Sequence, residues 1–477
     1  FVFRNVNGHI SANTNSALEI AEGEYIVLLD HDDLLSKDAL YQAVKVLQQN
    51  RDANLIYSDE DKITEQGDRY DPYFKPDWNP DLFLAQNFVN HLTIYKTDLV
   101  KNAGGFRVGL EGAQDWDLAL RVIEQIDEKT IIHIPMVLYH WRTVSGSTAK
   151  NITQKNYVVE AQRKALEDHF YRTKQSVDFK MNAYSYWTIQ YKVPRPKPLV
   201  SIIIPTRNQK KILEKCINSL EGLTDYDPYE ILVVNNDSDK ADTLNYFDIL
   251  NQKPGIRVLD YPFSFNYSAI NNFAVNESKG EVLCLLNDDI EIIDANWLWT
   301  MVSLAVRPQT GAVGAKLYYP NGRIQHAGVI LGLGGVAGHA CQFKSGNYPG
   351  QMGRAMLSQN YSAVTGACLV VEKNKYVQVG GLNENELKIA FNDIDFCIKL
   401  ILAGYRNVWS SEARLAHRES FSRGTEDTSE KRNRFKKEID YMKETYGGIL
   451  WNDPAYNPNL SLEKDFSLAF PPRVDCV

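Results

Sequence analysis

The feature that most constrains this chain is a repeat. GEYIVLLDHDD at residues 23–33 and GEVLCLLNDDI at residues 280–290 are the same apolar strand running into carboxylates. Aligning Gly23 with Gly280, an offset of 257 residues, places Asp30 on Asn287, His31 on Asp288, Asp32 on Asp289 and, upstream, Asn15 on Asn272. Further along, QDWDLALR matches NDIDFCIK with Asp115 on Asp393 and Asp117 on Asp395; Gly104-Gly105-Phe106 matches Gly380-Gly381-Leu382, and His140 matches His417. Landmarks that recur in one order at nearly constant spacing define a duplicated domain.

Length agrees, because 477 residues exceed what one hydrophobic core organises. The 44% hydrophobic and 23% charged content is that of a globular chain, and no apolar run approaches the roughly 20 residues of a membrane span. A formal net charge of −8 argues against a nucleic-acid partner, which needs a basic surface. The cysteines at 216, 284, 341, 368, 397 and 476 lack close metal-ligand spacing and read as free thiols of a reducing compartment. With no apolar signal core, the expected location is cytoplasmic, at most peripheral at the inner face of the plasma membrane. Nothing in the sequence fixes an oligomeric state.

In the second half, LVSIIIPTRNQ (199–209) and YEILVVNNDSD (229–239) are short apolar runs followed by helical patterns, the signature of a parallel sheet. The expected fold is α/β, with two tandem, mostly parallel domains. The first, 1–175, enters at FVFRNVNGHIS, the counterpart of the stretch near 256–268, so it is expected to lack the two earlier strands. Residues 176–198 read as a linker, an aromatic β-like stretch followed by a proline-rich connector. The second domain is expected at 199–450, followed by an irregular tail at 451–477. KRNRFKK at 431–437 reads as a solvated helix face, with an anionic membrane or partner contact as the alternative.

Ligands of open parallel sheets sit at the carboxyl ends of the strands, where Asp30-His31-Asp32 and Asn287-Asp288-Asp289 fall. Clustered carboxylates repel unless a cation intervenes, and hard oxygen ligands favour magnesium or manganese shared with phosphates. A nucleoside diphosphate fits. Aspartates that merely make turns are the alternative, and the duplication weighs against it. Asp115 and Asp393 are candidate general bases, with Asp117 and Asp395 read as helix N-caps. His140 and His417 are read as metal or phosphate contacts, with a core histidine as the alternative.

These motifs, with PTRN at 205–208, FNYSAINN at 265–272, SAVTGACLVV at 362–371 and FNDIDFCIKL at 391–400, resemble inverting family 2 glycosyltransferases of GT-A fold, in particular tandem-domain bacterial enzymes of surface polysaccharide synthesis such as O-antigen or capsule. The resemblance implies transfer of a hexosyl or rhamnosyl unit from a UDP- or dTDP-sugar to a growing glycan or lipid-linked acceptor, with Mn2+ or Mg2+ as cofactor. By matched position it implies Asp289, Asp288 and His417 as metal residues in the second domain, with Asp30, Asp32 and His140 in the first. It implies Asp393 and Asp115 as bases, and Pro205, Thr206, Asn208, Asn236, Asp237 and Asn271 around the nucleotide. Asn287 departs from the first aspartate of the family's metal motif, and Asn235-Asn236 depart from its usual strand-end aspartate. Activity is therefore expected in the second domain, with a non-catalytic scaffold as the alternative for the first. A sugar nucleotidyltransferase is disfavoured, because IIIPTRNQKK is not a glycine- and arginine-rich phosphate loop. SAVTGACLVV reads as a strand approaching the donor sugar or a plain core strand, and the glycine-rich stretch between His326 and His339 as an acceptor-side loop.

Overall fold

The computed structural model describes residues 2–143, 156–418 and 428–473; Cys476 lies outside them. The chain forms two compact units, Phe1–Ile189 with Tyr456–Asn459, and Gln190–Ala455 with Leu460–Val477.

The first unit contains β1 (Tyr25–Leu28), β2 (Leu34–Leu35), β3 (Leu55–Ile63), β4 (Arg69–Tyr73), β5 (Thr93–Lys96) and β6 (Ile131–Arg142) in one sheet of order β1-β5-β3-β6-β2, with β4 on β3. A two-stranded ribbon of β7 (Val177–Met181) and β8 (Trp187–Tyr191) follows. The stretch expected as a linker is therefore structured: Trp187 is buried and donates from Nε1 to Gln162 at 3.1 Å, while Phe179 packs on Phe170 of the helix Asn156–Arg172. Aromatic anchors hold what the prolines alone would leave extended.

The second unit contains β9 (Val200–Thr206), β10 (Tyr229–Asn235), β11 (Ile256–Asp260), β12 (Val282–Leu286), β13 (Ile290–Ile292), β14 (Thr310–Tyr318), β15 (Ile324–His326), β16 (Val329–Leu331), β17 (Ala337–His339), β18 (Gln359–Asn360), β19 (Cys368–Glu372) and β20 (Arg406–His417). Its main sheet runs β11-β10-β9-β12-β19-β14-β20-β13, and β11, β10, β9 and β12 pair in parallel. β9, β10 and β12 are almost continuously buried, as strands covered on both faces must be.

The order β1-β5-β3-β6-β2 repeats as β12-β19-β14-β20-β13, with the same antiparallel and parallel pairings. The duplication is thus a duplication of fold, and both units are GT-A-type α/β domains. Among the described residues, the first unit has no strands at the positions of β9, β10 and β11.

Asn15 shows why the repeat is so regular. Its side chain exchanges two hydrogen bonds with the backbone of Phe106 (2.7 and 2.8 Å), and Asn272 does the same with Leu382 (2.9 and 3.1 Å). The preceding glycine has φ +66° at Gly105 and +65° at Gly381, and a Cβ there would lie 2.6 or 2.7 Å from the asparagine Oδ1. Only glycine satisfies both conditions.

The N-cap reading of Asp117 and Asp395 is corrected. The helix Gln114–Ile123 is preceded by Ala113 and the helix Asn392–Leu402 by Phe391, neither with a side-chain cap. Asp117 instead pairs with Arg121, which also donates to Gly105 O at 2.8 Å; Asp395 pairs with Lys399, which donates to Gly381 O at 2.7 Å. A buried carboxylate needs a cation, and each cation in turn satisfies the carbonyl of the strained glycine.

Candidate active site

β9 and β12 end side by side, and their exits meet in a cleft of about 410 Å³ lined by Pro205, Thr206, Asn236, Tyr267, Asn287 and Asp288, with Arg207, Gln209, Phe265, Ile270, Ile389, Lys431 and Arg434 completing the wall. Thr206 donates from Oγ1 to Asp288 Oδ2 at 2.7 Å. Burial is the main reason the Asp288 carboxyl is pushed up to about 7; the Thr206 hydroxyl opposes this and the neighbouring Asp289 adds to it. Asn236 donates from Nδ2 to Phe263 O and Tyr261 O at 2.8 and 3.2 Å, leaving its buried Oδ1 without a partner. An acceptor left in this way on a cleft wall suits an imide N–H.

Asp289, the next residue in the chain, lines a second pocket with Lys211, Ile290 and Arg418; it is buried, with its Oδ1 3.0 Å from His417 Nε2 and no hydrogen bond to it. His417 Nδ1 is 2.7 Å from Gln325 Oε1, which orients the ring so that Nε2 faces the Asp289 carboxylate. A carboxylate and an imidazole nitrogen, both of types that bind divalent ions, thus meet in a buried space. Among the described residues no three His, Cys, Asp or Glu side chains converge as a protein-only metal cage. A divalent ion shared with a diphosphate needs only one or two carboxylates, and Asp289 with His417 meets that requirement.

Asp393 accepts from Gly366 N at Oδ2 (2.7 Å) and from Ile394 N at Oδ1 (2.9 Å). Gly366 O accepts from Tyr267 Oη at 3.1 Å, which ties the Asp393 carboxylate to the cleft wall. Asn208 and Asp237 do not line the cleft. Asn208 has φ +56° and binds the backbone of Asp239 and Lys240, holding the turn after β10; Asp237 is exposed beside Arg207. Asn271 is fully buried and donates to Tyr267 O, and within FNYSAINN the residues lining the cleft are Phe265, Tyr267 and Ile270.

In the first unit the expected set does not converge. Asp32 is 40% exposed and nearest to the exposed His31, while His140 Nδ1 contacts Asp61 Oδ1 at 2.6 Å. Strand register explains this. Tyr25 pairs with Lys96 as Val282 pairs with Glu372, but Leu34 pairs with His140 as Ile290 pairs with His417. The first loop is one residue longer, so Asp33, not Asp32, occupies the place of Asp289. Asp33 accepts from Tyr139 Oη at 2.5 Å and Arg142 N at 2.7 Å, so both its oxygens are engaged. Burial raises the carboxyls of Asp30 and Asp115. Asp115 Oδ1 accepts from Trp116 N at 2.8 Å, as Asp393 does from Ile394, but its Oδ2 takes the side-chain amides of Asn87 and Asn90.

Asp33→Ala is expected to lower the opening free energy of β2 and β6 by roughly 1–3 kcal/mol, because it orphans the buried Tyr139 hydroxyl and the half-buried Arg142 amide. Asp32→Ala should change it by less than about 0.5 kcal/mol. Native-state hydrogen exchange of those strands measures both, and equal effects would refute the register assignment.

The model for glycosyl transferase family 2 matches residues 1–104 and 201–373, and the chain belongs to that family. Over 476 residues it is 52% identical to the uncharacterized protein y4gI of Sinorhizobium fredii, covering 98% of this chain and 52% of that protein. It is 34% identical over 462 residues to the O-antigen biosynthesis protein RfbC of Myxococcus xanthus, covering 95% of this chain and 35% of RfbC. The chain thus spans about half of one relative and a third of the other. Among solved structures, GalNAc-T7 with UDP, GalNAc and Mn2+ aligns at 14% identity and a TM-score of 0.44, covering 58% of this chain and 52% of that one. Among the described residues no helix is long and apolar enough to cross a membrane.

Proposed function

We propose that the second unit is a metal-dependent inverting glycosyltransferase that moves a sugar from a UDP- or dTDP-sugar to a growing polysaccharide or lipid-linked glycan, acting in the cytoplasm. The observation that carries this reading is the strand-end cleft whose wall holds a buried acceptor for a base (Asn236) and the Asp288 carboxyl, with Asp289 next in the chain against His417, and with the Asp393 carboxylate linked through Gly366 to Tyr267 of the same wall.

Asn236 Oδ1 accepts the imide N–H of uracil or thymine, and Pro205 and Phe265 wall the base. Asp289 and His417, with Asp288 adjacent, would hold Mn2+ or Mg2+, which when bound neutralises the departing diphosphate. Gly366 and Ile394 fix the plane of the Asp393 carboxylate, which takes the proton of the acceptor hydroxyl as that oxygen attacks the anomeric carbon from the face opposite the leaving group. A single displacement of this kind inverts the centre and forms no covalent enzyme intermediate. O-antigen assembly, in which RfbC is named, is the closest setting for such an acceptor. In the first unit Asp115 and Asp30 stand at the equivalent positions, with Asp33 where the fold repeats Asp289; this unit serves as a scaffold or acceptor platform.

Calorimetric titration with UDP, dTDP and GDP, each with and without Mn2+, tests the reading. Manganese-dependent binding of about one equivalent supports it, and no binding to any of the three refutes it. The pH dependence has a definite sign. Because the folded carboxyl of Asp288 titrates near 7, it is neutral below that pH and attracts a cation less. Manganese-dependent UDP affinity should therefore rise between pH 6 and 8 with release of a proton, and Asp288→Asn should flatten the profile.

A further inference from the structure

The basic run at 431–437 lies on the helix Ser429–Trp451, and the fold splits it between two environments. Lys436 is 73% exposed and pairs with Asp440 one turn on. Lys431 and Arg434, three residues apart and so on one helical face, line the same cleft as Thr206, Asn236 and Asp288. We infer that Lys431 and Arg434 form a cationic clamp on the diphosphate of the donor, so that the start of the last helix belongs to the donor site rather than to a solvated or membrane-facing surface. This rests on the donor reading above.

Three observations support it. The helix is anchored: Phe435 stacks on Phe391 at 5.5 Å, Glu438 Oε1 accepts from Ile389 N and Ala390 N at 2.9 and 3.2 Å, and Tyr441 Oη accepts from Asn383 Nδ2 at 3.0 Å. Long, entropically costly side chains are thereby carried to the cleft on a fixed base instead of a free surface. Second, the guanidinium is oriented, with Arg434 Nε donating to the buried Glu438 Oε2 at 3.4 Å, and its planar fork matches a phosphate bidentately. Third, a diphosphate beside the Asp289 carboxylate carries more negative charge than one divalent ion offsets, and Lys431 and Arg434 bring cationic groups to the cleft wall. Since Glu438 grips the backbone just before Asp393, the helix that holds the diphosphate also sets the position of the proposed base.

Titration of the whole chain with uridine, UMP, UDP and inorganic pyrophosphate, in manganese, tests the clamp. Lys431→Ala and Arg434→Ala should each weaken UDP about tenfold, the size of a lost charge-assisted hydrogen bond, while leaving uridine unchanged. The gap between UDP and UMP should narrow, the double variant should lose most of the preference for UDP, and Arg434→Lys should recover part of it. If the parent binds UDP and the double variant binds it equally well, the clamp is wrong and the donor reading stands. If uridine weakens in parallel with UDP, the two side chains act through the fold and the clamp is again refuted. Loss of pyrophosphate binding with UDP unchanged would reassign the pair to another phosphate and overturn the proposal. A parent that binds no nucleotide would sink the donor reading and the clamp together.

Discussion

Asp393→Asn is expected to remove sugar transfer, lowering kcat by about 10³-fold, while leaving manganese-dependent UDP affinity within about threefold. The substitution conserves shape, so the effect isolates the proton-accepting role. One oxygen remains to accept from Ile394 N or Gly366 N, at a local cost of about 1 kcal/mol for the bond that is lost. The contrast with Asp115→Asn is sharp. Oδ2 of Asp115 already accepts the amides of Asn87 and Asn90, whereas Oδ2 of Asp393 meets a single backbone donor beside the cleft. Asp115→Asn should therefore leave transfer unchanged. Turnover retained by the Asp393 variant would remove it as base, and turnover lost in the Asp115 variant would move the active centre to the first unit.

The duplicated fold was legible in sequence because its landmarks do mechanical work: Asn15 and Asn272 grip the glycine turns, and the i,i+4 pairs Asp117–Arg121 and Asp395–Lys399 tie those turns to a helix. Such contacts tolerate little change, so the residues recur. The metal motif of the first unit was misread because LDHDD offers three carboxylates after one strand, and local sequence does not say which side of the loop absorbs an extra residue; only the pairing of Leu34 with His140 decides. Asn271 and Tyr267 lie one helical turn apart and are both buried, and only the tertiary fold shows that Tyr267 lines the cleft while Asn271 bonds back to Tyr267 O. Lys431 and Arg434 lie more than 200 residues from Thr206, and a basic helix face looks alike in sequence whether it meets water or a cleft. The stacking of Phe435 on Phe391 makes the difference, and that is a tertiary fact.

Asp289→Ala is expected to lower UDP affinity in manganese by about 100-fold and to leave affinity without manganese nearly unchanged. The reason lies in an imperfection of the fold. A buried carboxylate oxygen that makes no hydrogen bond costs stability unless something positive sits beside it, and Asp289 Oδ1 is such an oxygen. Removing the carboxylate relieves that cost in the metal-free protein, so the variant should melt no lower than the parent and its melting temperature should stop responding to manganese. A purely structural aspartate predicts the opposite pattern, a lower melting temperature with the manganese response intact. His417→Ala should mimic the loss of response more weakly, because a neutral ligand contributes less than an anion. Gln325→Leu should fall between the parent and His417→Ala, since it removes the side-chain contact at Nδ1 that orients the imidazole towards Asp289. Calorimetric titration and thermal melting of these three variants, with and without manganese, order the residues by role; a manganese response retained by Asp289→Ala would withdraw the metal assignment.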